Sequence, residues 1–292
     1  MQPLFTIDAP LTADIITPNL QLQSITALEQ GQVVYLPNTS FILSETEKFL
    51  LSPAIKEGKS KNISYCSKQK RSKHTALEGE QLAILNGFMQ RYTDYSHNLI
   101  TQLFPAYLST LETGRTSYRP VEIKGRPSSY KKDDTRIHVD AFPATPVQGE
   151  RILRVFCNVN PHQQPRFWNV GEKFSDVADR FLPRIKPYSS LKSKLLHTLK
   201  LTKQRRTAYD HYMLNIHDMM KGDVVYQNAV NKTAIEFPPY STWLVYTDVV
   251  SHAALGGQYL LEQTYYLPPK GMADINKSPL KILESKLGRS LI

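Results

Sequence analysis

Two residues near the middle of the chain have the types and spacing of metal ligands. His138 and Asp140 stand two apart in the segment TRIHVDAF. Alternate residues of a β-strand point to one face, so Arg136, His138 and Asp140 are expected to share an interior face. One imidazole and one carboxylate on that face can bind the same metal ion. The pair alone is weak evidence, because a chain with eight histidines contains such a pair by chance about once.

His252 is the candidate third ligand. It follows the strand-like segment STWLVYTDVV and precedes QYLLEQTYYL, which places it at a strand entrance later in the chain. His211 and His217 compete for this role, but both lie in or at the end of a helical segment, where exposed or capping histidines are more common. Two histidines and one carboxylate leave three positions open on Fe(II), the arrangement of oxygenases that use 2-oxoglutarate and O2.

A 2-oxoglutarate co-substrate needs a fixed cation for its far carboxylate. Arg154 lies in the apolar segment RILRVFCNV. A buried arginine is costly without a partner, so Arg154 either binds the co-substrate or forms a salt bridge with a barrel acid such as Glu262. Many related oxygenases place an arginine shortly after the distal histidine, but no arginine occurs between His252 and Arg289. This absence favours Arg154 as the anchor, with Arg136 as the less favoured alternative.

Short strands are expected to position these residues. From Thr135 onward, segments rich in Val, Ile, Tyr and Thr alternate with Pro, Gly or Asn turns. A basic helical insert from about Asp176 to Met220 interrupts them, and a support helix is predicted over Leu77 to Leu103. The predicted fold is mainly β with helical additions (α+β), a β-barrel or two-sheet jelly roll. The strand segments are TRIHVDAF, RILRVFCNV, DVVYQNAV, STWLVYTD and QYLLEQTYYL.

We expect a single catalytic domain over residues 1–292. Its parts are an α/β support region (1–115), the barrel core (116–270) and an amphipathic tail (271–292). The tail is predicted to be a helix with Ser278 as N-cap. Its leucine stripe either docks on the protein itself or lies on an anionic membrane surface. The stripe consists of Leu280, Leu283, Leu287 and Leu291.

Composition limits the classes of function. The net charge of +10 implies an anionic partner, which is nucleic acid, acidic lipid, or a phosphorylated or carboxylated small molecule. No apolar run is long enough to span a membrane and the start lacks a secretory signal, so we expect a cytoplasmic protein. Cys66 and Cys157 have no metal or redox spacing. Glycine-rich phosphate loops and G-x-S-x-G elbows are absent from the sequence.

Four segments carry a family resemblance: GRPSSYKKDDTRIHVDAFPATP, GERILRVFCNVNP, PRFWNVGEKF and SHAALGGQYLLEQTYYLP. They resemble the Kdo hydroxylase family, bacterial Fe(II)/2-oxoglutarate dioxygenases that act on 3-deoxy-D-manno-oct-2-ulosonic acid (Kdo) of lipopolysaccharide. The resemblance runs from about Tyr118 to Pro269. It implies a double-stranded β-helix (jelly-roll/cupin-like) core that binds Fe(II), 2-oxoglutarate and O2. It also implies hydroxylation at C3 of Kdo on the Kdo-bearing lipid A precursor, at the cytoplasmic face of the inner membrane.

The resemblance also implies roles for individual residues. By motif match, His138, Asp140 and His252 would be the iron ligands, and Arg154 sits where related oxygenases with a barrel-strand cation bind the 2-oxoglutarate tail. Cations before the metal-binding segment would attract the Kdo carboxylate and the lipid A phosphates. The candidate substrate contacts are Arg119, Arg126 and Lys131, in a basic stretch that also holds Arg115 and Lys132.

Two alternative functions follow from the same features. One keeps the chemistry but changes the substrate to a protein side chain or another lipid, because barrels of this kind act on many targets. The other is a non-catalytic basic barrel that binds anionic membrane or nucleic acid. Sparse interleaving of aromatic and basic residues argues against nucleic acid, so the expected partners are the lipid substrate and, peripherally, an anionic membrane.

Overall fold

The computed structural model describes residues 2–12, 14–58, 60–125 and 128–292. These residues form eleven strands and seven α-helices. The strands are β1 (Leu4–Thr6), β2 (Val33–Leu36), β3 (Ile63–Cys66), β4 (Arg71–Lys73), β5 (Glu112–Arg119), β6 (Arg151–Asn158), β7 (Arg166–Val170), β8 (Thr233–Phe237), β9 (Thr242–Tyr246), β10 (His252–Gly256) and β11 (Leu260–Leu267). The helices are α1 (Pro18–Glu29), α2 (Gly79–Leu103), α3 (Phe174–Phe181), α4 (Ser190–Thr198), α5 (Ala208–Gly222), α6 (Val224–Ala229) and α7 (Pro279–Leu287).

The strands form two sheets. The larger has the order β1-β2-β9-β6-β11-β5-β3-β4, and the smaller has the order β10-β7-β8. His138 extends the small sheet, because its backbone N–H and that of His252 each donate to the other residue's carbonyl oxygen, at 2.9 and 2.8 Å. Strands β1 to β4, from the region 1–115, extend both edges of the large sheet. From β5 onward the chain passes back and forth between the two sheets, as in a double-stranded β-helix.

Large aromatic rings join the two sheets across the core. Trp168 of the small sheet contacts Phe156 and Trp243 of the large sheet, with ring centroids 5.3 and 5.8 Å apart. Phe237 of the small sheet stacks on Trp243 at 4.0 Å. Edge-to-face and offset stacking of buried rings stabilises such a core beyond the area it buries. The predicted mainly β fold, a two-sheet barrel with helical additions, is confirmed.

Most of the predicted elements are present. The strands predicted in RILRVFCNV, STWLVYTD and QYLLEQTYYL are β6, β9 and β11, and the predicted support helix is α2, which packs on β5 and β11. The basic insert between β7 and β8 contains α3, α4 and α5. Pro183 and Pro187 lie in the break between α3 and α4, because proline lacks the backbone N–H that a helix interior needs. Of the helices in the described ranges, none combines the length and hydropathy required to cross a bilayer.

The strand predicted in DVVYQNAV was wrong, because this segment forms helix α6. Asp223 caps the helix by accepting a hydrogen bond from the backbone N–H of Tyr226 at 3.0 Å. Val224 and Val225 are 59% and 77% exposed. Valine favours strands through packing on a half-buried surface, so exposed valines do not oppose a well-capped helix.

The segment TRIHVDAF also departs from its prediction. Only His138 pairs with β10, and the segment is not a regular strand. Arg136 does not share the inward face of His138 and Asp140. Its guanidinium instead lies 3.3 Å from Asp133 and donates to the backbone oxygen of Lys221 at 2.8 Å. A nearby acid and a free carbonyl therefore override the strand alternation at this position.

The C-terminal helix docks on the protein. Its cap is as predicted, since the Ser278 hydroxyl accepts from the backbone N–H of Lys281 at 3.2 Å. Leu280, Leu283 and Leu291 of the predicted stripe are all buried in the main core. This face is therefore not available to a membrane surface.

One buried ion pair connects the turn before His252 to the large sheet. Asp248, in the turn before β10, accepts from both Nε and Nη2 of Arg151 on β6, at 2.7 and 3.2 Å. Both side chains are buried. We expect Asp248→Ala to lower the free energy of unfolding by about 3–5 kcal/mol, because it leaves a buried guanidinium without its carboxylate. Thermal and urea unfolding would measure this loss.

An exposed ion pair provides the control for that variant. Glu45 and Lys48 lie 2.7 Å apart, and their side chains are 85% and 58% exposed. Glu45→Ala is expected to leave the unfolding midpoint unchanged, because solvent screens such pairs. Equal midpoints for both variants would contradict the structural role given to Arg151 and Asp248.

Candidate metal centre

The structure brings His138, Asp140 and His252 together on facing segments of the small sheet. Their candidate ligand atoms all lie within 4.8 Å of one another. Nε2 of His138 is 3.7 Å from Oδ1 of Asp140, and the two imidazole centroids are 4.6 Å apart. Ligands bonded at about 2.1 Å to adjacent positions of one octahedral ion lie about 3 Å apart, so small side-chain movements suffice to bind a metal. Within the described ranges, this is the one group of histidine, cysteine and acidic side chains with such spacing.

Backbone carbonyls orient both imidazoles. Nδ1 of His138 lies 2.7 Å from the carbonyl oxygen of Arg136, and Nδ1 of His252 lies 2.9 Å from that of Val250. A carbonyl can only accept, so each Nδ1 carries the proton and donates. Each Nε2 then keeps its lone pair and faces the other ligand atoms. A second ring nitrogen fixed in this way is the usual support of a metal-binding histidine.

Burial and neighbouring charges hold the three side chains in the protonation states that can bind a metal ion. Burial, together with His252, holds the pKa of His138 well below its ordinary value, and burial lowers the pKa of His252 as well. Both imidazoles are therefore neutral at neutral pH, with their single proton on Nδ1. Burial alone would raise the pKa of Asp140, but Arg154 and the two histidines bring it below its usual range. The site thus presents two neutral nitrogens and one carboxylate, a donor set that suits Fe(II).

The competing histidines are engaged elsewhere. Nε2 of His211 lies 2.8 Å from the carbonyl oxygen of Lys186, and His211 is not part of the group of candidate ligand atoms. The ring of His217 is 5.5 Å from that of His138, but its Nδ1 lies 3.0 Å from Asp218. His217 therefore borders the site without joining the group of ligand atoms.

A cavity of about 660 Å³ opens beside the three ligands. In the part of the chain that the structure describes, its walls carry eight lysine or arginine side chains and four acidic ones. Trp168 closes one side and stacks on His252, with ring centroids 5.0 Å apart. The candidate metal-binding group therefore faces a space with an excess of positive charge, which attracts anions.

Comparison with known proteins identifies the family. The apo structure of the Kdo hydroxylase KdoO, a non-haem Fe(II) alpha-ketoglutarate-dependent dioxygenase, is 43% identical, with a TM-score of 0.96 over 100% of this chain and 98% of that chain. KdoO structures with cobalt(II), and with alpha-ketoglutarate and Fe(III), are 42% identical at TM-scores of 0.94 and 0.93 over the same shares. The chain matches no curated protein sequence. The family model described as 3-deoxy-D-manno-oct-2-ulosonic acid (Kdo) hydroxylase matches residues 12–290.

The chain belongs to the Kdo hydroxylase family. The resemblance seen in its motifs is thereby confirmed, and the match extends beyond the motifs into the N-terminal support region and the C-terminal helix. The α+β fold is the one that KdoO has.

In the present chain, Arg154 lies between two acidic side chains, Asp140 and Glu262. Its Nη2 lies 2.9 Å from Oδ2 of Asp140, and its Nη1 donates to Glu262. The salt bridge to Glu262 that the sequence left open is therefore present. Arg119 binds the other oxygen of Glu262 at 2.6 Å, which extends the network. Arg154 thus orients Asp140, a candidate ligand, through a direct contact.

Arg166 is the residue that sequence reasoning missed. It begins β7, lines the cavity and is 2% exposed. Its Nη1 donates to the carbonyl oxygen of Gly257 at 2.7 Å, and no acidic side chain in the described ranges forms an ion pair with it. Burial, with Arg119 nearby, lowers the pKa of Arg166 to about 9. The alternation of Arg166, Trp168 and Val170 in RFWNV was the signal that could have placed this cation inside the barrel.

The remaining candidate cations have different positions. Arg119 pairs with Glu262 and lies 3.7 Å from Asp134, so it is part of the buried network. Lys131 lies at the cavity mouth and pairs with Asp218 at 2.6 Å. Arg136 is not among the residues that line the cavity, whereas Arg126 lies outside the described residues.

Proposed function

We propose that this chain hydroxylates Kdo, at C3, on a Kdo-bearing lipid A precursor, with Fe(II), 2-oxoglutarate and O2. The observation that carries the proposal is the group formed by His138, Asp140 and His252 on the wall of a cationic cavity. Membership of the Kdo hydroxylase family supports it. When bound, Fe(II) with 2-oxoglutarate supplies the oxygen activation that hydroxylation of an unactivated carbon requires.

The chain's own residues hold and orient the reactants. His138, Asp140 and His252 would bind Fe(II) on one side, which leaves the side toward the cavity for the keto-acid end of 2-oxoglutarate, O2 and the sugar. Arg154 keeps Asp140 ionised and in place through its 2.9 Å contact. Trp168, stacked on His252, excludes water from one side of the ligands.

Arg166 is proposed to bind the far carboxylate of 2-oxoglutarate. A buried guanidinium without an acidic partner is unfavourable, and a ligand carboxylate would supply the missing charge and hydrogen bonds. Arg154 is the other candidate, as the sequence suggested, but Asp140 and Glu262 already neutralise it. The measurement that separates these two residues is given in the Discussion.

The cavity mouth is proposed to receive the anionic substrate. Lys131 and Lys221 approach one another there, since Nζ of Lys221 donates to the backbone oxygen of Lys131 at 3.2 Å. Lys221 is 2% exposed, and burial lowers its pKa. The Asp134 carboxylate lies 3.8 Å from Nζ of Lys221, which is a long ion pair, so a ligand anion such as the Kdo carboxylate would supply a closer partner. Because the proposed substrate is a membrane lipid, the protein is further proposed to work at the cytoplasmic face of the inner membrane as a peripheral protein.

Turnover on defined substrates tests the proposed activity. Protein loaded with Fe(II) and 2-oxoglutarate under nitrogen would receive oxygen together with Kdo-bearing lipid A, lipid A without Kdo, or a peptide mixture. We expect succinate above background, and product heavier by one oxygen atom, with the Kdo-bearing lipid alone. Modified peptide would assign the same chemistry to a protein substrate. Absence of substrate-dependent succinate in all three reactions would contradict the proposal.

A further inference from the structure

Helix α4 presents a row of leucines to its surroundings. Leu191, Leu195 and Leu199 stand four residues apart, the spacing that places side chains on one helical face. They are 79%, 58% and 59% exposed, and Leu201 just beyond is 59% exposed. The opposite face holds buried Ser193, whose hydroxyl donates to the carbonyl oxygen of Arg206 at 2.7 Å. The inward side of the helix thus carries a hydrogen-bonded serine and the half-buried Leu196, whereas the row of leucines on the other side is exposed. An ordinary surface helix has the opposite arrangement.

The same segment is strongly basic. Residues 180–207 contain nine lysines or arginines and no aspartate or glutamate. Lys192 and Lys194 flank the leucine face on α4, and Lys200 and Lys203 follow it; all four are exposed. In the described part of the chain, no carboxylate forms an ion pair with any of these four lysines. Their charge is available to an external anionic partner.

This surface adjoins the mouth of the cavity beside His138, Asp140 and His252. Arg206 lines that cavity and also the cleft beside α4. Its Nη2 donates to the carbonyl oxygen of Pro143 at 2.6 Å. The backbone N–H of Lys203 donates to the carbonyl oxygen of Ala144 at 2.9 Å. Both carbonyls belong to the segment that follows the ligand Asp140. A partner bound at α4 would therefore lie next to the entrance of the site.

We propose that residues 190–206 dock on an anionic phospholipid bilayer. The leucines would enter the boundary between headgroups and acyl chains, while the flanking lysines would pair with lipid phosphates. Charge complementarity selects this partner, because a second copy of the same surface would bring like charges together. The C-terminal helix cannot serve instead, since its leucine stripe is buried in the core. This docking surface specifies the membrane contact of the proposed function, and its test does not depend on turnover.

Vesicle flotation tests the docking surface. Full-length protein would be mixed with vesicles of phosphatidylethanolamine and phosphatidylglycerol, or of phosphatidylcholine alone. We expect flotation with the anionic vesicles only, and weaker binding as salt is raised. Leu191→Ser with Leu195→Ser should reduce the fraction bound at least about tenfold, and Lys192→Glu with Lys194→Glu should reduce it as strongly.

Matched control variants test whether vesicle binding depends on α4 specifically. Leu22→Ser changes an exposed leucine of α1, 62% exposed, and Lys68→Glu with Lys73→Glu reverses two exposed lysines near the β3–β4 hairpin. These variants should float like the wild type, and all variants should keep the wild-type unfolding midpoint and Fe(II) affinity. Wild-type protein that fails to float, or α4 variants that float equally well, would overturn the proposal. A loss of self-association in the leucine variant, without vesicle binding by the wild type, would assign the surface to a protein contact.

Discussion

Replacing His252 by alanine is expected to remove iron binding and, with it, turnover. The change leaves one imidazole and one carboxylate, and Fe(II) bound by two protein ligands is held far less tightly than by three. Loss of a residue that only supports a ligand commonly costs 10 to 100-fold in metal affinity, so loss of a ligand should cost more than about 100-fold. Titration with Fe(II) under nitrogen would measure the dissociation constant directly, without any substrate.

His217→Ala is the matched control for that experiment. Its ring lies 5.5 Å from that of His138, yet it is not part of the group of ligand atoms. We expect its Fe(II) affinity to stay within a few-fold of wild type. The assignment of His252 would be wrong if His217→Ala lost iron and His252→Ala retained it.

Replacing Arg166 by methionine is expected to weaken 2-oxoglutarate binding with little effect on iron. Methionine fills a similar volume but cannot pair with the far carboxylate. Removal of one partner from a buried, hydrogen-bonded charge pair costs about 2–5 kcal/mol, so the dissociation constant should rise at least about 30-fold. Calorimetric titration of the Fe(II)-loaded protein under nitrogen would measure it.

An analogue of 2-oxoglutarate distinguishes loss of the carboxylate anchor from a general disruption of the site. The compound 2-oxopentanoate keeps the keto-acid end of 2-oxoglutarate and replaces the far carboxylate by a methyl group. Arg166→Met should bind 2-oxopentanoate as wild type does. Arg154→Met should instead weaken Fe(II) binding, because Arg154 contacts Asp140. If Arg154→Met selectively lost 2-oxoglutarate while Arg166→Met bound it normally, the anchor would be Arg154.

The sequence predicts best those elements whose pattern is set by burial. Strands β6, β9 and β11 consist largely of buried residues, and their runs of Val, Leu, Ile and Tyr are unambiguous. The valines of helix α6 favour a strand by composition, but they are exposed and Asp223 caps the helix. Local capping decided the conformation there.

At the site, too, the sequence predicts some features and not others. The spacing of His138 and Asp140, and the place of His252 at a strand start, were sufficient to anticipate that these side chains meet. For Arg154 the sequence leaves two alternatives open, a salt bridge with an acid such as Glu262 or binding of the co-substrate, and it does not indicate that Arg166 is buried without an acidic partner. Glu262 is 108 residues from Arg154 in sequence, and Arg166 lacks an acid only because of what β7 packs against. Whether a buried charge is paired depends on long-range packing, which spacing along the chain does not reveal.

Transfer of oxygen to the sugar tests the central claim most directly. The Fe(II)-loaded protein would be given 2-oxoglutarate, Kdo-bearing lipid A and isotopically labelled oxygen gas, and the released Kdo would be analysed by tandem mass spectrometry. We predict one labelled oxygen at C3 of Kdo and one succinate per modified sugar, with neither product from His252→Ala. Label elsewhere in the lipid, or a wild-type reaction that forms succinate without labelled Kdo, would contradict the account.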